Sequence, residues 1–212
     1  TWYKWRDAQR ATLNNLGASS DYFDEVSESH LGRGFAVRIK ETSRIQILSF
    51  AVGSSTTPTH APYQIWMDMA RGAKASVVEW QGSVANDNMM PVWLHPQTLI
   101  RQGNSSALEW VSNQNLQNTH FSVGRTRILQ EEGTDLRSLE ISTGAKLFRR
   151  NLDVHLLGAS ATATLNGLSL TGSGQVCDFH TFIDHSVGHC STNQLYKGVL
   201  GAGSQTVFNG KV

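Results

Sequence analysis

The feature that most constrains this chain is a recurring turn. Five segments, RGAKASVVEW, QGNSSALEWV, EGTDLRSLEI, LGASATATLNG and LGAGSQTVFNG, follow one plan. Each starts at a glycine turn, passes through small or polar residues and runs into a β-rich stretch. The glycines Gly72, Gly103, Gly133, Gly158 and Gly201 stand 25 to 43 residues apart, a spacing typical of solenoid repeats. A strand with one apolar face cannot bury that face alone. Stacked coils enclose a continuous interior and pile equivalent side chains into ladders. Small residues at the turns suit the tight corners of such a coil. An antiparallel sandwich also has many short strands, but it needs two-residue Asn-Gly or Asp-Gly hairpins between them. The only Asn-Gly pairs, Asn166-Gly167 and Asn209-Gly210, recur at one phase of the repeat. The pattern therefore predicts an all-β fold, a parallel β-helix.

A chain of 212 residues can bury a substantial core in one domain, or two smaller ones. With 39% hydrophobic and 17% charged residues, it lacks the high charge of a disordered segment. The net charge of +1 provides no basic field to hold a nucleic acid backbone. GAKLFRRN (Gly144–Asn151), the densest basic patch, is too short to change that. No apolar run approaches the ~20 residues a bilayer needs, so no membrane partner is expected. No stretch has the make-up of a signal peptide. Two cysteines, Cys177 and Cys190, do not make a disulfide framework, and free thiols suit a reducing compartment. A bridge between them stays open.

Along the chain, TWYKWRDAQRATLNNLG reads as a short helix. Trp2, Trp5, Gln9, Leu13 and Leu16 share a helical face, and Gly17 stops it. Residues 1–30 are thus an N-terminal helix and linker, with its stripe a docking face. Residues 31–212 are the β-helix core. FAVRIK alternates Phe35, Val37 and Ile39 against Ala36, Arg38 and Lys40, and RIQILSFAV follows as a second strand.

The stretch VCDFHTFIDHSVGHC, Val176–Cys190, concentrates both cysteines and three of the eight histidines. Period-2 geometry puts Cys177, Phe179, Thr181 and Ile183 on one face, read as interior. Asp178, His180, Phe182 and Asp184 take the other, and Asp178, His180 and Asp184 read as a partner surface. His185, His189 and Cys190 fall at or after the turn made by Gly188. They are the local candidates for metal ligands, with donor types that suit zinc or iron. No Cys-x-x-Cys accompanies them, and Cys190 also suits a small apolar wall position. The stretch reads mainly as wall and partner surface.

Other chemistries leave weaker traces. TGSGQ and GNSSA fail the Gly-x-Ser-x-Gly elbow of serine hydrolases. A β-helix acting on polysaccharide would use Asp178 with Asp184, or Asp153 with Arg149 and Arg150, as acid and base. A purely structural β-solenoid is a third reading.

The residues from Arg149 onward, RRNLDVHLLGASATATLNGLSLTGSGQVCDFHTFIDHSVGHCSTNQLYKGVLGAGSQTVFNGKV, resemble the core of the SufB/SufD family. These are scaffold subunits of the SUF iron–sulfur cluster assembly machinery, and the likeness is greater to the SufD branch. It is carried by His180-Thr181, Asp184-His185, Cys190-Ser191 with Gln194-Leu195, Lys197-Gly198, and Val207-Phe208-Asn209-Gly210. Upstream, DMARGAKASVVEW and HFSVGRTRILQEEG fit as well, so the likeness covers about residues 35–212. The resemblance implies a right-handed parallel β-helix in the cytoplasm or plastid stroma. It implies pairing with a SufB-like subunit and service by a SufC-type ABC ATPase. It further implies a non-catalytic role without a resident cofactor, iron or an iron–sulfur cluster being handled transiently by the complex. In that family further coils, a late Cys-Ser-His-Gly-like motif and an ATPase-docking helical region follow the Phe-Asn-Gly step. The family's cluster-related Cys and His therefore correspond to no residue of this sequence.

Overall fold

The computed structural model describes residues 34–84 and 88–212. The helix expected over residues 1–30 lies outside the described residues. Thirteen strands run in order: β1 (Gly34–Ile39), β2 (Ser43–Ala51), β3 (Thr59–Met69), β4 (Lys74–Ser83), β5 (Val92–Gln102), β6 (Ala107–Asn115), β7 (Phe121–Gln130), β8 (Asp135–Ser142), β9 (Leu147–Leu156), β10 (Thr162–Thr171), β11 (Val176–His185), β12 (Ser191–Leu200) and β13 (Gln205–Lys211). Odd strands form a seven-stranded sheet in the order β1-β3-β5-β7-β9-β11-β13. Even strands form a six-stranded sheet in the order β12-β10-β8-β6-β4-β2. All pairings between described strands are parallel. Each coil thus contributes one strand to each sheet, which is a parallel β-solenoid.

Coil length varies from 26 residues, where Phe121 lies opposite Leu147, to 33, where Lys74 lies opposite Ala107. Register nevertheless holds, because each strand keeps its inward parity over its neighbour and a one-residue slip would turn the interior out. Met67, Ile100, Ile128, Val154 and Ile183 consequently stack as one ladder.

The corners correct the glycine alignment. At the corner leading from the seven-stranded to the six-stranded sheet, one residue in each coil from β3 onward is left-handed: Gly72 (φ 71°), Ser105 (58°), Gly133 (64°), Ser160 (60°) and His189 (63°). Gly103 and Gly158 precede that position by two residues, so the aligned glycines were not equivalent. Gly201 belongs to the opposite corner, before β13. Asn166-Gly167 and Asn209-Gly210 are not turns either. They lie within β10 and β13, in different sheets. Gly167 is small because the Tyr196 ring lies over it, and a Cβ there would come within 2.1 Å of the ring.

Two apolar clusters fill the interior. The larger includes Ile65, Met67, Val77, Trp110, Ile128, Leu152, Val154 and Ile183. The smaller joins Ala51, Val92, Leu94, Leu116, Ala145, Phe148, Cys177 and Phe179 near the other corner. A buried polar belt separates them along the strands: Glu79 and Gln81 on β4, Ser112 and Gln114 on β6, Glu140 and Ser142 on β8, and Arg150 on β9. Buried polar groups cost free energy unless they are hydrogen-bonded, and Glu79 is well supplied. Tyr63 Oη (2.9 Å) and Gln81 Nε2 (3.1 Å) donate to its Oε1, and Ser112 Oγ (3.2 Å) donates to its Oε2. Corner glutamines close the coils similarly. Gln102 and Gln130 donate to the Asp135 and Thr162 carbonyls at 3.0 Å. Among the described residues, no helix is long and apolar enough to cross a membrane.

Candidate functional site

On β11 the inward residues Cys177, Phe179, Thr181 and Ile183 are buried, while Asp178, His180, Phe182 and Asp184 face outward and are partly exposed. The outward residues belong to charged ladders that cross the seven-stranded sheet. Arg149 on β9 reaches Asp178 at 3.3 Å, and His180 Nε2 lies 2.8 Å from the other Asp178 oxygen. One rung along, Arg125 and Arg127 converge on Asp153 at 3.3 and 3.5 Å. His155 Nδ1 lies 3.5 Å from Asp184 Oδ2, which also accepts from Ser186 Oγ at 2.7 Å. Farther back, Arg101 bridges Asp68 and Glu131. Burial of the Arg101 guanidinium works to lower its pKa, but the two carboxylates outweigh it and the pKa is raised. Lys211 on β13 sits over the Phe182 ring, 5.5 Å from its centroid. The surface is one of paired charges held in register by parallel pairing.

The structure does not draw His185, His189 and Cys190 into one group. His185 shares a hydrogen bond with Thr192 (3.2 Å). His189 is exposed at the left-handed corner position. The Cys190 thiol donates to the Gly158 carbonyl (3.4 Å) and packs against the larger apolar cluster. Among the described residues, no set of three or more His, Cys, Asp or Glu is arranged to hold a metal ion. Both cysteines are free thiols, which closes the question of a bridge. Burial pushes the Cys177 thiol up to about 12, so it stays protonated and is no nucleophile at neutral pH.

The carboxylates proposed for glycoside chemistry are also dispersed. Asp178 and Asp184 lie six residues apart on one strand, roughly 20 Å at the rise of a parallel strand, whereas glycosidase pairs stand about 5–10 Å apart. Asp153 and Arg149 face outward, but Arg150 points into the solenoid beside Glu140. Adjacent residues on a strand take opposite faces, so Arg149 and Arg150 cannot serve one site.

The sequence reading missed the interior ionisable groups Glu79, Glu140 and Tyr63, and grouped Arg150, which is interior, with Arg149 and Asp153. Their signal was present in the parity: Val77, Glu79 and Gln81 alternate in phase, as do Leu136, Ser138, Glu140 and Ser142.

Comparison with known proteins agrees with this architecture. Residues 51–212 match the family described as SUF system FeS cluster assembly, SufBD core domain. An iron–sulfur cluster assembly SufBD family protein of Synechocystis is 24% identical over all of this chain and 49% of its own length. The iron–sulfur cluster assembly protein SufD of Escherichia coli is 27% identical over 72% of this chain and 35% of its own length. Protein ABCI7, chloroplastic, of Arabidopsis thaliana is 25% identical over 75% of this chain and 33% of its own length. The chain thus spans half or less of the length of these relatives. With the family match covering most of the solenoid, the chain belongs to the SufBD core family of the SUF iron–sulfur cluster assembly system.

Proposed function

We propose that the chain is a SufD-like scaffold subunit. It assists iron–sulfur cluster assembly in a complex with a SufB-like subunit and a SufC-type ATPase, in the cytoplasm or the plastid stroma. The observation that carries this reading is the family match over residues 51–212, the stretch in which the described strands stack as a solenoid. The coil is right-handed in this reading, the hand taken by nearly all parallel crossovers. Iron or the cluster is cargo of the complex rather than a resident cofactor of this chain. The outer face of β11, with Asp178, His180 and Asp184, supports a partner of the same type.

The test is co-expression with the SufB-like and SufC-type subunits, followed by affinity purification. We expect the partners to be retained. Joint replacement of Asp178, His180 and Asp184 by Ala should weaken retention about tenfold, equivalent to about 1.4 kcal/mol, while the melting temperature stays close to that of the parent. Failure to retain the SufB-like subunit overturns the proposal. So does release of reducing or unsaturated sugars from polysaccharide, if it is abolished by Asp178→Asn or Asp184→Asn.

A further inference from the structure

Inside the solenoid, six side chains carry polar atoms that have no hydrogen-bond partner in the protein. They are Thr98 Oγ1 on β5, Trp110 Nε1 on β6, Thr126 Oγ1 on β7, Ser138 Oγ and both carboxyl oxygens of Glu140 on β8, and all three guanidinium nitrogens of Arg150 on β9. None of the six residues is more than 3% exposed. Native interiors seldom leave such groups bare, and ordered water commonly supplies the missing partners. The neighbouring strands place them together. Thr98 lies beside Thr126, and Trp110 beside Ser138, while Arg150 Nε reaches across to within 3.6 Å of Glu140 Oε2. The other face of Arg150 rests on the Phe148 ring, 5.6 Å from its centroid.

The charges in this space do not cancel if every group is ionised. Two carboxyls, Glu79 and Glu140, meet one guanidinium, and a low-dielectric interior favours the neutral combination, with one carboxyl protonated. Hydrogen bonding decides which. Glu79 accepts from Tyr63, Gln81 and Ser112, so both of its oxygens are supplied with donors. Glu140 has no donor of comparable geometry, only weaker approaches from Trp110 and Ser112.

We propose that this part of the interior is a hydrated proton-binding site, with Glu140 the acid that carries the proton and Arg150 and Glu79 its charged neighbours. Protonation converts the Glu140 carboxylate and one proton drawn from solvent into the neutral acid, leaving Arg150 to balance Glu79. The other titratable groups facing this space are Tyr63 on β3, Cys177 on β11 and Tyr196 on β12. Burial raises the pKa of all three, so they stay neutral. β6 and β10 place only Ser112 and Gly167 beside Glu140.

Burial pushes Glu140 up to about 7; the Arg150 charge pulls it down, the Glu79 charge raises it further, and Trp110 and Ser112 as donors lower it slightly. A carboxyl whose folded value lies above its ordinary 4.5 binds more protons folded than unfolded. Its stabilisation is complete below about 4.5 and is lost as the pH rises through about 7.

Infrared spectroscopy of the purified chain tests the site. At about pH 6 ordinary carboxyls are ionised, so a carboxylic-acid C=O band there reports a raised acid. We expect that band in the parent, its loss by about pH 8.5, and its absence from Glu140→Gln at both values. Glu79→Gln removes the second negative charge, and Glu140 should then stay ionised beside Arg150. The band at pH 6 should therefore vanish although Glu140 is intact, a result that a merely structural role would not give. The fall in urea midpoint between these pH values should flatten in Glu140→Gln. Absence of the band from the parent, its survival in Glu140→Gln, or its persistence in Glu79→Gln would each overturn the proposal. If Glu140→Gln does not fold, the parent and Glu79→Gln spectra decide. A high-resolution crystal structure should place ordered water against Arg150 and Glu140, and a dry interior there refutes the hydrated part.

Discussion

Ile128 stands in the inward ladder, fully buried between Ile100 and Val154, and shortening it in two steps should have unequal costs. Ile128→Ala removes three carbons, a transfer loss of about 2.4 kcal/mol at ~0.8 kcal/mol per methylene. The cavity adds ~24 cal/mol for each Å³ that fails to collapse. The ladder is fixed on both sides, so the cavity should persist and add about 1–2 kcal/mol. Ile128→Ala should therefore cost about 4 kcal/mol, and Ile128→Val, which removes one carbon, about 1 kcal/mol. For a chain of this size these correspond to roughly 8–16 °C and 2–4 °C in melting temperature. Urea titrations followed by tryptophan fluorescence, with Trp110 in the same cluster, and by circular dichroism would measure both. Coincident transitions license the comparison. An Ile128→Ala cost below about 2 kcal/mol would refute the idea that stacking on both sides keeps the cavity open.

Gly124→Ala should be poorly tolerated, because a Cβ would fall 2.4 Å from the Pro96 carbonyl oxygen; thermal melts should show a loss of at least about 2 kcal/mol. Gly167→Ala meets the Tyr196 ring, a side chain that can shift, rather than backbone, and should cost less, about 1.5 kcal/mol. At the left-handed corner, His189→Gly should be neutral or stabilising in the same melts, whereas His189→Val should lose about 1–2 kcal/mol. Protein purified without chelator should contain no stoichiometric zinc or iron by elemental analysis. Stoichiometric metal lost in both Cys190→Ala and His189→Ala would reverse that reading.

The alternation from Cys177 to Asp184 was legible because a half-buried strand has a period of two, whatever the fold around it. The glycine spacing announced a coil without giving its phase. A glycine that holds positive φ, such as Gly133, and one that permits close approach, such as Gly158, look alike in sequence. Only the stacked corners, where Ser105, Ser160 and His189 take the left-handed position without being glycine, separate the two uses. The Asn-Gly pairs misled for a related reason, since a residue pair favoured in hairpins also fits beneath an aromatic ring. The interior acids were hidden by distance. Glu79, Glu140 and Arg150 come together across three coils, and nothing local to SVVEWQG or SLEIS says which coil faces which. The parity of Glu79 with Val77, and of Glu140 with Leu136, was the available warning that polar side chains turn inward.

Because each strand pairs only with strands one coil away, the separation between partners is nearly constant along the chain, 26 to 33 residues. That uniformity suits growth from the N-terminal side during synthesis. Each time about thirty residues leave the ribosome, a finished coil can serve as template for the next, without waiting for distant sequence. The order has a cost, since every intermediate carries two fresh sheet edges at its growing end, the surfaces most prone to pair with a neighbouring nascent chain. A lesion in an early rung, such as one at Met67, would stall every coil after it, whereas one at Val154 would spare the coils already stacked before it.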